Sequence, residues 1–117
     1  LVVGKHVAAN LYDVKRMLPP AEARELMVKA AEAAGSRVYD VRLYEFRDGY
    51  SVLVLVLESH LAIHTWYDVR FATVDIYTCG GHTDPDRALQ LVLAAYEPDR
   101  VTVYRHDRSS RSNTRRA

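Results

Sequence analysis

The chain holds 117 residues, 49% of them hydrophobic and 26% charged, with a formal net charge of +1. That length suits one domain with a thin core, and the near-neutral charge excludes a strong general pull toward nucleic acid or an anionic membrane. A single cysteine, Cys79, excludes an intramolecular disulfide and favours a cytoplasmic setting.

Residues 2 to 12 read as a strand with a polar middle. Asp13 to Pro20 is a connection, and Pro19 and Pro20 suit a helix entrance. Residues 21 to 34 are strong helix formers, with Ala23, Leu26, Met27, Ala30 and Ala33 toward one side and Gly35 as the C-cap. Residues 37 to 46 alternate, Asp48-Gly49 signals a turn, and residues 50 to 57 are strongly β-prone, so 37 to 57 is a predicted hairpin. The apolar run at 52 to 57 is far too short to span a bilayer. Two further strands are predicted at 61 to 66 and 71 to 78, joined by a turn or bend at YDVR. A glycine-rich loop, CGGHTDPD, leads to a helix capped by Thr83 or Asp84, with Pro85 in its first turn. That helix runs to about Tyr96, Pro98 ends it, and residues 100 to 106 form the last strand. From about residue 108 to 117 the chain reads as a flexible basic tail. The opening LVVGKH lacks the basic and apolar pattern of a signal peptide.

The order of elements predicts an α+β fold. It is a single-domain, two-layer sandwich over 1–117, with a mainly antiparallel sheet and both helices on one face. One sheet face is then left for water or for a partner subunit.

The densest polar cluster is ESHLAIHTW, residues 58 to 66, directly after the most hydrophobic strand. On an extended strand His60, Ala62, His64 and Trp66 point one way, while Ser59, Leu61 and Ile63 point the other. Ser59 and His64 therefore meet only if the backbone bends. That weakens a Ser/His hydrolase, as does the absence of a G-x-S-x-G elbow. His60 and His64 read equally as satisfied strand histidines. His60, His64, Cys79, His82 and Asp84 are the candidates for a metal, but the spacing gives no paired ligand motif. Cys79 stands at a loop mouth before Gly80-Gly81, open to a proton-transfer role or a core role. Ser51 reads as a turn hydroxyl. Phe46 and Trp66 stand near turns, where an aromatic ring can stack on a planar ligand. Asp75, polar in an apolar strand, needs a partner if buried.

ESHLAIHTW followed by FATVDIYTCG closely resembles the short prokaryotic S-adenosylmethionine decarboxylase proenzymes, as do GKH…LY, GYS at 49 to 51 and the helix after TDPDRA. The resemblance implies self-cleavage between Glu58 and Ser59 into 1–58 and 59–117. Ser59 attacks the Glu58 carbonyl, His64 takes the α proton, and Ser51 assists. The serine becomes a covalent pyruvoyl group, which condenses with the substrate amine and serves as electron sink, with no dissociable cofactor or metal. Cys79 matches the family's proton donor.

The implied substrate is S-adenosylmethionine, decarboxylated to the aminopropyl donor for spermidine synthesis, with Trp66, Asp68 and Phe46 as substrate-binding residues. The family's Trp-Pro-Glu step is Trp66-Tyr67-Asp68 here, and the glycine after it is absent. The resemblance also implies a homodimer of cleaved protomers. GKHVAANLYD, IYTCG and DRSS (107 to 110) keep open an arginine decarboxylase of the same chemistry, making agmatine. A non-catalytic interaction protein, with Ser59 left intact, is the reading from another class.

Overall fold

The computed structural model describes residues 1–111. In chain order the elements are β1 (Gly4–Val14), α1 (Pro20–Ala33), β2 (Val38–Phe46), β3 (Gly49–Val56), β4 (Ser59–Trp66), β5 (Phe71–Cys79), α2 (Pro85–Tyr96) and β6 (Pro98–Asp107). The six strands form one sheet in the order β2-β3-β4-β5-β1-β6, and every neighbouring pair is antiparallel. This is the α+β sandwich the sequence predicts.

Proline and glycine set the ends of α1. Pro20 takes the first helical position, where its missing N–H leaves no bond unmade. Gly35 follows the helix at φ 88. The Gly35 N–H bonds the Glu32 carbonyl and the Ser36 N–H bonds the Ala31 carbonyl, the paired closure that a left-handed residue permits. Asp84 caps α2 by accepting from the Asp86 N–H, so of the two candidate caps the aspartate serves.

Several boundaries differ from expectation, β1 running on to Val14 and β6 starting at Pro98 among them, and two have a clear physical cause. Phe46 pairs with Gly49, so the turn is Arg47–Asp48 and Gly49 already lies in β3. A side chain at Gly49 would overlap the Thr65 carbonyl oxygen; close approach of β4, and not turn geometry, calls for glycine there. β4 begins at Ser59, two residues before the predicted start, because Ser59 pairs with Val56 across a two-residue loop.

Val7, Ala9, Leu11, Val52, Val54, Leu61, Ile63, Val74 and Ile76 are buried beneath Ala23, Met27, Ala30, Ala88, Leu89 and Val92 of the helices. Each large apolar side chain so buried contributes about 1.5–3 kcal/mol. Tyr50, fully buried, donates to the Leu18 carbonyl at 2.8 Å and accepts from Tyr96 at 2.6 Å, tying β3 to both helix ends. The other sheet face carries no helix. Leu53 and Leu55 lie exposed on it at 49% and 55%.

Within the stretch expected as a tail, Arg108 and Ser110 continue the pairing with β1: their N–H groups bond the Gly4 and Val2 carbonyls. Residues 112–117 lie outside the described residues. No helix among the described residues is long and apolar enough to cross a membrane.

Candidate active site

The β3–β4 loop is only Leu57 and Glu58, and a turn this tight forces an unusual backbone. Glu58 adopts φ 66, a left-handed conformation that costs a non-glycine residue roughly 1–2 kcal/mol. The next residue, Ser59, is buried at 6% exposure. It falls on the helix side of β4 with Leu61 and Ile63. Its Oγ is buried without a hydrogen-bond partner, a state that costs about 1–3 kcal/mol. Across the sheet edge, at the end of β5, the Cys79 thiol donates to the Glu58 carbonyl oxygen at 3.6 Å. A strained peptide, an uncommitted hydroxyl and a donor on the intervening carbonyl thus converge on the Glu58–Ser59 bond. Such a donor stabilises the charge that develops on oxygen when the carbon is attacked.

His64 is not part of this group. It pairs with Ser51 across β3–β4, and its Nδ1 lies 2.7 Å from the Ser51 Oγ. Ser59 and His64 are an odd number of residues apart on an unbroken strand. They therefore project from opposite faces, with α carbons roughly 17 Å apart. Within one chain His64 therefore does not reach Ser59, as the alternation along the strand implies. Trp66 stacks on Phe71 (5.5 Å, 30°) and Phe46 on Tyr44 (5.9 Å, 28°), at the same far end of the open face. Asp68 lies exposed in the β4–β5 turn, bonded to the Val69 N–H. None of these three approaches Cys79 in the same chain.

Beside Cys79 the open face carries a cluster that sequence reasoning did not assemble. Asp75 is held by His6 Nε2 at 2.8 Å and His60 Nε2 at 3.2 Å. His60 is thereby a satisfied strand histidine. Because His6 Nε2 donates to Asp75, its Nδ1 is free to accept from the Arg108 guanidinium at 3.2 Å. Arg108 in turn lies 5.1 Å over the Tyr77 ring. Cys79, on the same face of β5, pushes the Tyr77 phenol above its ordinary range; burial and nearby Glu58 add to this, and Arg108 opposes it. The alternation of β5 was the available signal: it places Asp75, Tyr77 and Cys79 on one face.

Burial pushes the Asp75 carboxyl up, but hydrogen bonds and charge from His6 and His60 outweigh it and hold the group below 3.8. A carboxylate with a depressed folded value adds stability above its unfolded value and loses it as pH falls through the lower folded one. Acid unfolding of the wild type below about pH 4 is therefore expected to be steeper than that of Asp75→Asn. Parallel acid limbs in chemical denaturation would refute this.

Neither His82 nor Asp84 joins Cys79. The His82 ring packs over Gly80, and Asp84 caps α2. Among the described residues no group of three or more His, Cys, Asp or Glu is placed to hold a metal ion. A cavity of about 700 Å³ near the start of α2 is lined by Lys5, Thr83, Asp86 and Arg105 but by neither Ser59 nor Cys79. Its cations are already engaged, Lys5 by the Gly81 and Thr83 carbonyls and Arg105 by Asp86.

Known proteins resemble this chain along nearly its whole length. The sequence profile described as S-adenosylmethionine decarboxylase matches residues 5–109. An arginine decarboxylase proenzyme of Aeropyrum pernix is 48% identical over 114 residues, covering 93% of this chain and 86% of that protein. An S-adenosylmethionine decarboxylase proenzyme of the same organism is 41% identical over 103 residues, covering 86% and 79%. The crystal structure of the adenosylmethionine decarboxylase from Aquifex aeolicus matches with a TM-score of 0.84 at 30% identity, covering 98% of each chain.

Proposed function

Because the chain belongs to the S-adenosylmethionine decarboxylase family, we propose that it is a self-processing decarboxylase that cuts itself at Glu58–Ser59 and acts on arginine. The observation that carries the processing is the convergence of three features: the left-handed Glu58, the unpartnered Ser59 Oγ and the Cys79 thiol on the Glu58 carbonyl. Attack by Oγ on that carbonyl breaks the peptide C–N bond and leaves an ester; β-elimination then frees the Glu58 carboxylate, and water hydrolyses the dehydroalanine at 59 with loss of ammonia. The chain from residue 59 then begins with a pyruvoyl group, whose ketone condenses with an amine and draws electrons from the bond to the departing carboxylate. The site fits such a group, since Ser59 is enclosed at its side chain and the Cys79 thiol bonds the carbonyl that precedes it. Cys79 then stands where a proton can be returned to the substrate's α carbon.

Support for arginine comes from one organism's two proteins: this chain is nearer the arginine decarboxylase proenzyme of Aeropyrum pernix than its S-adenosylmethionine counterpart. The change from Trp-Pro-Glu to Trp66-Tyr67-Asp68 fits an altered substrate pocket. S-adenosylmethionine is kept as the second reading by the stacked pairs Trp66–Phe71 and Tyr44–Phe46, which offer flat surface to an adenine. Incubation with carboxyl-labelled arginine and, separately, carboxyl-labelled S-adenosylmethionine decides between them. Label is expected as carbon dioxide from arginine, with at least a tenfold preference. Release from S-adenosylmethionine alone would overturn arginine and keep the chemistry.

The working unit we propose is a homodimer closed over the open faces. The exposed Leu53 and Leu55 and the helix-free sheet call for a cover. A two-fold axis near Ala62, midway between Ser59 and His64, sets the partner's His64 against the Glu58–Ser59 edge. It also carries the aromatic end of one face over the cleavage end of the other.

A further inference from the structure

We propose that Arg108 is the seat for the carboxylate that self-cleavage creates at the main chain of Glu58, pinning the new chain end to the open face. The inference rests on the cut at Glu58–Ser59 proposed above. The register places the two residues on one row across the end of the sheet. The Arg108 N–H bonds the Gly4 carbonyl, Gly4 stands opposite Cys79, and the Cys79 thiol bonds the Glu58 carbonyl oxygen. Between Arg108 and Cys79 the row thus holds a glycine. A side chain there would overlap the Arg108 carbonyl and press on the Arg108 Cβ, so glycine lets the extension of β6 close on β1 and leaves the crossing clear. The arginine uses it: from beyond β6 its guanidinium passes over β1 to lie 5.1 Å above the Tyr77 ring on β5. That is one strand spacing, about 4.8 Å, from the line of β4.

The residues on either side of Arg108 fix its backbone. The Ser109 and Ser110 hydroxyls accept from the Gly4 and Val2 N–H groups at 3.2 and 2.8 Å, and Asp107 accepts from the Ser109 N–H at 3.0 Å. The guanidinium donates to His6 Nδ1 at 3.2 Å. Its two contacts, a neutral imidazole nitrogen and a phenol ring, match none of its charge, and among the described residues it enters no ion pair. Arg105, by contrast, is closed by Asp86. Before the cut, the main chain of Glu58 offers the row only a carbonyl. Cutting turns that carbonyl into a carboxylate and frees it from the tight turn that holds Glu58 at φ 66. A guanidinium with donors to spare takes a carboxylate through paired, charge-assisted bonds. The substrate's carboxylate is the poorer occupant, because a bond to it would hold back the group that has to leave.

The test follows the new chain end itself. In the self-cleaved protein, the mass of the 1–58 fragment reports removal of Glu58 by carboxypeptidase Y. Arg108→Gln is expected to cut itself as the wild type does and then to lose Glu58 about tenfold faster, because an unpinned end opens more often. Arg108→Lys, which keeps the charge and loses the planar fork, should fall between the two. Arg87→Gln, an exposed arginine on α2, should match the wild type. In the uncut Ser59→Ala background, Arg108→Gln should leave the melting temperature within about 2 °C of its parent, since there the guanidinium holds no anion. Equal trimming of Arg108→Gln and wild type would overturn the proposal. So would an equal loss of melting temperature in cut and uncut protein, which would make Arg108 a packing residue alone. A KM raised tenfold or more with trimming unchanged would assign the guanidinium to the substrate's carboxylate instead. Absence of a 1–58 fragment from the wild type would sink the processing reading, and this proposal with it.

Discussion

A Ser59→Ala protein is expected to remain a single uncut chain of 117 residues, to release no carbon dioxide from either substrate, and to be no less stable than the wild-type precursor. The loss of cutting follows from the absence of any other nucleophile at the edge: Cys79 is engaged with the Glu58 carbonyl oxygen, and Ser51 is bonded to His64. The stability follows from the state of the hydroxyl removed. Ser59 Oγ is buried and unpartnered, so deleting it removes an unmet desolvation cost and leaves little space behind, a change worth up to about 1 kcal/mol in favour of the folded chain. Intact mass, carbon dioxide release and thermal unfolding check the three parts. A Ser59→Ala chain that still split at residue 58 would sink the nucleophile assignment, and a marked fall in melting temperature would show that Oγ has a structural partner.

The second large effect concerns His64. Alone, His64→Ala is expected to slow cutting at Glu58–Ser59 by about 10²-fold, the usual contribution of a positioned base. The informative experiment mixes it with Ser59→Ala. Only the His64→Ala chain has a serine to cut at, and only the Ser59→Ala chain has the histidine. Since β4 holds these residues on opposite faces of one chain, the proposed dimer supplies the base from the partner's His64. Co-expressed from one cell, the His64→Ala chain should be cut in hybrid dimers at a rate near the wild type's, whereas made separately it should be cut about 10²-fold more slowly and the Ser59→Ala chain should stay whole. No cutting in the mixture, alongside efficient cutting of the wild type, would place the histidine's action within one chain.

Much of the frame was legible in the residue pattern. The alternation of residues 37 to 46 and 71 to 78, the prolines before α1 and α2, and Gly35 all act locally, and they mark their elements without help from distant contacts. Even the opposition of Ser59 and His64 follows from counting along β4. Register and strand order were not legible, because they depend on residues far apart in the chain. Ser51 meets His64 only because β3 pairs with β4 in one particular register. Asp75 was recognisable as a group in need of partners, yet one of them, His6, lies 69 positions away and becomes its neighbour only when β1 docks beside β5. Gly49 read as a turn residue because the sequence shows its freedom and not the Thr65 carbonyl pressed against it.

The strand order has a further consequence for the proposed self-cleavage. The piece ending at Glu58 contributes β1, β2 and β3, and the piece starting at Ser59 contributes β4, β5 and β6. In the sheet β1 lies between β5 and β6, so one strand of the first piece is clasped inside the second, and neither half keeps its three strands together without the other. Before cutting, folding is a unimolecular search. Afterwards two fragments would have to find each other and interleave. The mature protein is then protected by the height of its unfolding barrier more than by an equilibrium it can revisit, and once dismantled it has no one-chain route back. The proposed self-cleavage would also be a ratchet on assembly: the fold is completed in the precursor, and the cut would make that completion hard to repeat.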